Sequence, residues 1–484
     1  MNAFDYFFEK TNSLEKPFLF GKESITFNQL YNSSLQLSSH IVKEYGHHKN
    51  ILLISVNNLF FLKAYFAIIK SGNTCIPLDP NIEKENLKYI SELTKPVLIF
   101  ASKDIKNRLN LDQEKCLQPE ALADIKGITK VLEETDTTNE EDCAEIIFTS
   151  GSTGEPKGVM ISHRNLISNT ESIIAYLKLN QNDRMLVVLP FYYCYGLSLL
   201  HTHIRVGGSI VFNNSFIFLG GIIKDLLNYS CTGFAGVPSH FQILLRKSND
   251  FKTTAFPDLK YVTQAGGKLA TIFIDEFRES FPDVKFYVMY GQTEATARLS
   301  YLPPELYEKK KGSMGKGIPG VELKVVDEKG RKIKPGEVGE VIARGDNIMI
   351  GYFADEEGTT NAIRNGWLYT GDLGTVDQDS FIYLTARKKE IIKVGGKRIS
   401  PKEVEAIILQ LPEVVDCSVE GVADEIQGEA LKATIVLNDK MKSAISEETI
   451  KQHCSRHLAL YKVPRLYEFK DQVTISPTGK KIKK

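Results

Sequence analysis

Thr149-Ser150-Gly151-Ser152-Thr153-Gly154-Glu155-Pro156-Lys157-Gly158 says more about this chain than any other segment of it. From Thr149 to Gly154 every residue is small or hydroxylated, and Lys157 follows three positions later. Such a loop has few side chains to keep its backbone N–H groups from a ligand. It adds hydroxyl donors and one fixed positive charge, a combination suited to phosphate. It is not a Walker loop, which needs Gly-Lys-Ser/Thr opening a helix. Pro156 has no N–H to offer, and Gly158 brings no hydroxyl for a magnesium ion. The competing account is a plain surface loop. The preceding Ala144-Glu-Ile-Ile-Phe148 reads as a buried strand. The loop therefore sits at a strand end, where α/β proteins bind ligands.

The pattern on either side agrees with that class. Residues 27–45 have the spacing of an amphipathic helix, with Leu30, Leu37, Ile41 and Tyr45 on one face and Gly46 ending it. Residues 51–56 read as a buried strand, 60–70 as a helix closed by Gly72, and 74–78 as a short strand. Strands recur at 184–189, 209–212, 260–264 and 285–289. Strands alternating with helices predict βα units and a largely parallel sheet. Residues 131–143 and 303–320, the latter with its Lys309–Lys311 run, read as loops. From 321 short strands punctuated by glycine, at 321–327 and 339–343, predict a β-rich subdomain reaching about 386. Beyond it come a strand at 391–394, a helix at 401–410, strands at 415–422 and 430–437 and a helix at 446–459. The expected class is α/β. A large N-terminal domain over 1–386 combines βα-type sheets with the β-rich subdomain of about 321–386, and a small mobile α+β C-terminal domain covers 387–484.

Composition narrows the function. A chain of 484 residues exceeds one ordinary core, so more than one domain is expected. Lys+Arg and Asp+Glu are both 60, so no global basic field recommends nucleic acid or an anionic membrane as a partner. The seven cysteines are scattered without a Cys-x-x-Cys pair, which argues against a zinc site or disulfide framework and fits a reducing cytoplasm. Residues 1–10 lack the apolar core of a secretory signal, and no apolar run has the length of a membrane span.

Other segments bear chemistry. Tyr290-Gly291-Gln292-Thr293-Glu294 follows a strand and offers an aromatic face, a hydroxyl and a carboxylate. By itself it could be a polar turn. Thr370-Gly-Asp372 could hold a ribose, Arg387 a phosphate or ribose, and Lys480 could act as a mobile cation; a common turn, a surface charge and a frayed tail are the alternatives. Taken in order with Leu189-Pro-Phe-Tyr-Tyr193, Ala265-Gly266-Gly267, residues 393–405 and Pro477-Thr-Gly-Lys480, these segments resemble the adenylate-forming superfamily. That superfamily comprises acyl-CoA synthetases, carrier-protein adenylation domains and luciferases. The resemblance extends from Ser24-Ile-Thr-Phe27 to Lys480.

The resemblance implies a site. Thr149, Ser150, Gly151, Ser152, Thr153, Gly154 and Lys157 would embrace the β- and γ-phosphates of ATP. Tyr290 would lie at adenine beside Gly266 and Gly267, with Gly291 and Gln292 in the same nucleotide-binding segment. Thr293 would contact the α-phosphate, Glu294 would coordinate Mg2+, and Asp372 with Arg387 would bind the ribose. Lys480 would bridge the acid's carboxylate and the nucleotide in the first step. Lys389 falls at the hinge of the C-terminal domain, and Gly395 and Gly396 would line a pantetheine channel once that domain rotates. The implied reaction joins a carboxylic acid to AMP with loss of pyrophosphate, then passes the acyl group to a thiol. The thiol would be CoA or, alternatively, the phosphopantetheine of an acyl or peptidyl carrier protein. A non-catalytic nucleotide-binding protein on the same fold is the alternative from another class, and the joint presence of Lys157, Glu294, Asp372, Arg387 and Lys480 argues against it.

The chain departs from the superfamily's pattern at Ala265 and Ala386, each in place of a glycine, and at Gly267, in place of a common alanine, which should widen the acyl pocket. Tyr193 stands where many ligases of this kind carry histidine. Residues 190–197 contain no acid to pair an α-ammonium, which would be left desolvated, so an uncharged acyl or aryl acid is favoured. Tyr192, Tyr193 and Tyr195 are divided between pocket and core, with Tyr192 and Tyr193 taken as pocket. His453 and His457 lack the glutamate of a His-Glu-x-x-His motif and read as a surface helix face, while His201 and His203 read as core.

Overall fold

The computed structural model describes residues 1–111, 115–124, 138–149, 155–216, 218–424, 427–442 and 445–473. The helix Phe27–Tyr45 begins at a capping box, Thr26 with Gln29, and stops at Gly46, whose φ of +77° breaks the helical path. Leu30, Leu37 and Ile41 are buried as their spacing requires; Tyr45 is only half-buried, beneath the Lys115 ammonium. The helix Leu59–Lys70 is N-capped by Asn58 and buried on nearly every face. That all-round apolarity marks a helix enclosed by other layers rather than one facing water.

Among the described residues the strands form four sheets. One runs, in spatial order, Lys316–Gly317, Ser300–Leu302, Lys285–Tyr290, Tyr261–Gln264, Gly233–Gly236, Arg184–Val187, Ser209–Phe212, Pro17–Phe20 and Ile25–Thr26. It is parallel from Lys285–Tyr290 through Pro17–Phe20 and antiparallel at both rims. A second sheet, centred on Asn50–Ile54, Thr74–Leu78 and Cys143–Thr149, is parallel there but continues antiparallel into Lys157–Ser162 and Gly351–Tyr352. The βα expectation therefore holds for the sheet interiors. The glycine-rich segment departs from it, because it joins two antiparallel strands and no helix starts at Lys157.

The third sheet is wholly antiparallel and contains Glu322–Val326, Gly339–Arg344, Trp367–Val376, Ile363–Arg364 and Ile382–Arg387, the β-rich part expected after 321. A 3-10 turn, Lys388–Glu390, follows. The smaller C-terminal unit packs the helices Pro401–Ile408 and Glu447–His457 with a sheet of Ile392–Val394, Lys397–Ile399, Val414–Asp424, Gly428–Leu437 and Leu466–Lys470. The fold is thus α/β with a large N-terminal and a small C-terminal unit. The segment read as loop over 303–320 includes a 3-10 turn at Pro304–Leu306 and the rim strand Lys316–Gly317. His201 and His203 are core: burial pushes the His201 imidazole down to about 3, so it stays neutral against the Tyr65 hydroxyl. No helix among the described residues is long and apolar enough to cross a membrane.

Candidate active site

The parallel strands of the largest sheet point their carboxyl ends at one cavity of about 500 Å³, the place where open α/β sheets bind ligands. Thr149, Tyr193, Gly266, Gly267, Tyr290, Gly291, Gln292, Thr293 and Glu294 line it. Asp372 and Arg387 enter from the β-rich sheet, and Lys402 and Glu405 from the C-terminal unit. Positions named separately from the sequence thus share one space. Ser150, Gly151, Ser152, Thr153, Gly154 and Lys480 lie outside the described residues. Gly395 and Gly396 are not among the lining residues. They form the exposed turn between Ile392–Val394 and Lys397–Ile399, both at positive φ, with open space around them. Lys389 is exposed in the 3-10 turn.

Register assembles one wall of this cavity. Asp372 and Arg387 are direct partners across antiparallel strands, so their side chains share a face. Arg387 Nε donates to Asp372 Oδ1 at 3.0 Å, and the Tyr290 hydroxyl donates to Oδ2 at 2.6 Å. Burial, then the Asp372 carboxylate, pushes the Tyr290 hydroxyl well above the usual tyrosine range, so it stays a donor. Asp372 in turn holds the Arg387 guanidinium above its ordinary value. The carboxylate is 5% exposed, yet two of its roughly four lone-pair directions remain for a ligand.

Two glycines are required, one by close approach and one by its backbone conformation. A Cβ at Gly291 would stand 1.9 Å from the Ala297 carbonyl oxygen, an impossible contact. Gly266 sits at φ +82°, where a side chain is strained. Gly267 is permissive in backbone, but a Cβ there would meet Pro238 Cγ at 3.3 Å. Its hydrogen therefore keeps open the wall made with Val237, Pro238 and Tyr193.

Lys157 and Tyr192 are not among the lining residues. Lys157 Nζ contacts Asp355 Oδ2 at 2.6 Å and lies 5.0 Å above the Tyr352 ring. The Tyr352 hydroxyl donates to Glu294 Oε1 at 2.9 Å. Pairing of Tyr352 with Val159, two residues beyond Lys157 on the same strand face, builds this chain of contacts. Lys157 and the neighbouring backbone N–H of Gly358 hold the Asp355 carboxyl below its usual range. Burial, then Glu294, pushes the Tyr352 hydroxyl up. Tyr192 instead faces Asp79, and Tyr195 is core, bonded to Thr263.

Sequence reasoning missed Tyr352, Asp355, Gln242 and Lys268. Asp355 N-caps the helix Glu356–Ala362, a local signal that gives no hint of Lys157. Gln242 is 2% exposed and lines the cavity, and its Oε1 has no partner among the described residues. Lys268 Nζ donates to the Leu384 carbonyl, and burial, then Lys402, lowers its ammonium. Magnesium fits the donors present. No cluster of three ligating side chains occurs among the described residues. Mg2+ is, however, commonly held by one carboxylate together with substrate phosphates, which Glu294 can provide for.

The chain is 29% identical to an oxalate–CoA ligase of Arabidopsis thaliana over 95% of its own length and 92% of that protein's. It is 33% identical to a long-chain-fatty-acid–CoA ligase of Escherichia coli O157:H7 over 70% of its own length and 60% of that protein's. It shares its fold with the o-succinylbenzoate coenzyme A synthetase of Bacillus subtilis in complex with ATP and magnesium ion, with a TM-score of 0.86, 24% identity and coverage of 99% and 98% of the two chains. Residues 403–480 match the AMP-binding enzyme C-terminal domain, and with residues 8–353 matching the AMP-binding enzyme family, the chain belongs to that family.

Proposed function

We propose that this protein is an ATP-dependent acid–thiol ligase that converts an uncharged carboxylic acid to its acyl-adenylate and then to acyl-CoA. The observation that carries the reading is the meeting, in one cavity, of the Tyr290–Asp372–Arg387 cluster with Thr293, Glu294 and the glycines 266, 267 and 291. A carboxylate is a poor electrophile. In-line attack of its oxygen on the α-phosphorus of ATP forms the acyl–phosphate bond and breaks the bond to pyrophosphate, leaving a mixed anhydride. Two anions must approach, so cations must offset their repulsion. A lysine such as Lys480 at ~4 Å contributes about 4 kcal/mol at an effective dielectric of 20. That corresponds to roughly a thousandfold in rate.

In this reading Asp372 accepts both ribose hydroxyls on its remaining lone pairs. Tyr290 and Arg387 fix the carboxylate, and Thr293 donates to the α-phosphate. Residues 149–154 and Lys157 hold the β- and γ-phosphates, with Asp355 keeping the lysine extended until the phosphates take it over. Glu294 would hold Mg2+, which supplies charge neutralisation on phosphate oxygens when bound. The acid enters beside Tyr193, Gly267 and Pro238, and the adjoining segment 190–197 supplies no acidic side chain to pair an ammonium. The chain divides at Arg387, with 1–386 carrying the nucleotide and 387–484 turning about Lys389 so that Gly395 and Gly396 meet the pantetheine arm of CoA.

The test is a hydroxylamine-trapping screen over short, medium, branched and aromatic acids, followed by acid-dependent pyrophosphate exchange and CoA-dependent AMP release. Lys480→Ala should abolish exchange while ATP binding, measured by calorimetry, stays near wild type. Exchange confined to amino acids, or full turnover in Lys480→Ala, refutes the reading.

A further inference from the structure

The last residue of the helix Pro238–Arg246 is a buried cation that does not touch the nucleotide-facing wall. The Arg246 guanidinium lies 4.2 Å from the Phe273 ring centroid, and its Nη2 contacts Glu276 Oε1 at 2.5 Å. Both partners are on the helix Thr271–Ser280 of the N-terminal unit. Its Nη1 reaches the other way, into the C-terminal unit. It donates to the carbonyls of Leu409 at 3.2 Å and Leu411 at 3.0 Å, and to that of Val414. Asn438, also of the C-terminal unit, donates to the Arg246 carbonyl at 2.8 Å.

Leu409 caps the helix Pro401–Ile408 at its C-terminus. Carbonyls at that end lack intrahelical partners and carry the negative end of the helix dipole. A guanidinium is the side chain that can satisfy several at once, because its donors fan out in one plane. The same helix presents Lys402 and Glu405 to the cavity from its other turns. The grip on its C-terminus therefore fixes where these two side chains stand. Meanwhile the Gly395–Gly396 turn faces open space.

We infer that Arg246 is a positioning residue for acid activation, latching the C-terminal unit in an arrangement that must be released before the Gly395–Gly396 turn can reach the cavity. The inference rests on the two-step ligase reading. Glu276 pairs with the buried guanidinium on the N-terminal side, while, among the described residues, the groups it holds across the interface are backbone carbonyls. Release therefore strands no opposite charge in the C-terminal unit.

The experiment measures the two half-reactions separately, as acid-dependent pyrophosphate exchange and as thioester formation from a chemically prepared acyl-adenylate plus CoA. For Arg246→Ala, exchange should fall by about tenfold or more, as expected when several hydrogen bonds to a charged donor are lost. Thioester formation should stay within twofold of wild type or rise. Arg246→Lys, with one point charge, should fall between. Asn438→Ala removes a weaker contact to the same residue and should shift the ratio in the same direction by about threefold; it also serves if Arg246→Ala fails to fold. Equal loss of both half-reactions in Asn438→Ala and Arg246→Lys, or an unchanged ratio, overturns the latch. Wild-type protein without pyrophosphate exchange on any acid overturns the ligase reading instead.

Discussion

Asp372→Asn separates the nucleotide role of the cavity from its contribution to the fold. The carboxylate accepts from Tyr290 at 2.6 Å and from Arg387 at 3.0 Å. The Arg387 side chain is 59% exposed, so the ion pair alone contributes less than about 1 kcal/mol to stability. Asparagine keeps the shape, turning its oxygen to Arg387 and its amide N–H group to the Tyr290 oxygen. It loses the negative charge and one of the two acceptor atoms proposed to take the ribose hydroxyls. A hydrogen bond to a charged group is worth about 1.5–3 kcal/mol, so losing one and weakening the other should cost about 3 kcal/mol of nucleotide binding. That is roughly a hundredfold in kcat/KM for ATP. The assay is pyrophosphate exchange across a range of ATP at a saturating acid, with thermal melting in parallel. A loss concentrated in KM for ATP, with the melting temperature lowered by only a few degrees, is expected. A change of less than threefold in kcat/KM with the fold intact would refute the assignment.

Gly267→Ala places a methyl 3.3 Å from Pro238 Cγ, at a backbone conformation alanine accepts. The kcat/KM for a bulky acid relative to a short one should fall by about tenfold, the scale of one methylene in a tight pocket, as competition assays would measure. Glu145, fully buried beside Tyr65 and Cys75, has its carboxyl raised by burial from 4.5 to about 8. Because the folded state holds a proton that the unfolded chain releases above 4.5, stability falls as pH rises from about 4.5 to about 8. Glu145→Gln should remove that penalty, at most roughly 5 kcal/mol at pH 8.5. Melting curves should show the variant several degrees more stable there and equal to wild type near pH 4.5; a gap independent of pH would contradict this.

Most of the framework was legible because it is local. The apolar stripe of 27–45 and the strands at 74–78 and 285–289 are written in neighbouring residues. The candidate residues Tyr290, Thr293, Glu294 and Asp372 were singled out only by the family resemblance of several segments taken in order, because each segment alone reads equally well as a polar turn. The antiparallel return at Lys157–Ser162 was not legible, because its pairing with Cys143–Thr149 depends on a loop whose composition fits several geometries. Nor were Tyr352, Asp355 and Arg246. Asp355 meets Lys157 across 198 residues of chain, and Arg246 meets the Leu409 carbonyl across 163. Sequence alone offered the candidate chemistry and the kinds of element that carry it, since periodicity and small-residue loops are short-range consequences of backbone sterics and hydrophobic spacing. Only the tertiary structure decided which lysine is held by which carboxylate, that Tyr192 turns away while Tyr193 faces the cavity, and how the C-terminal helix is gripped. Those outcomes follow from sheet register and helix packing, where a shift of one residue exchanges every partner.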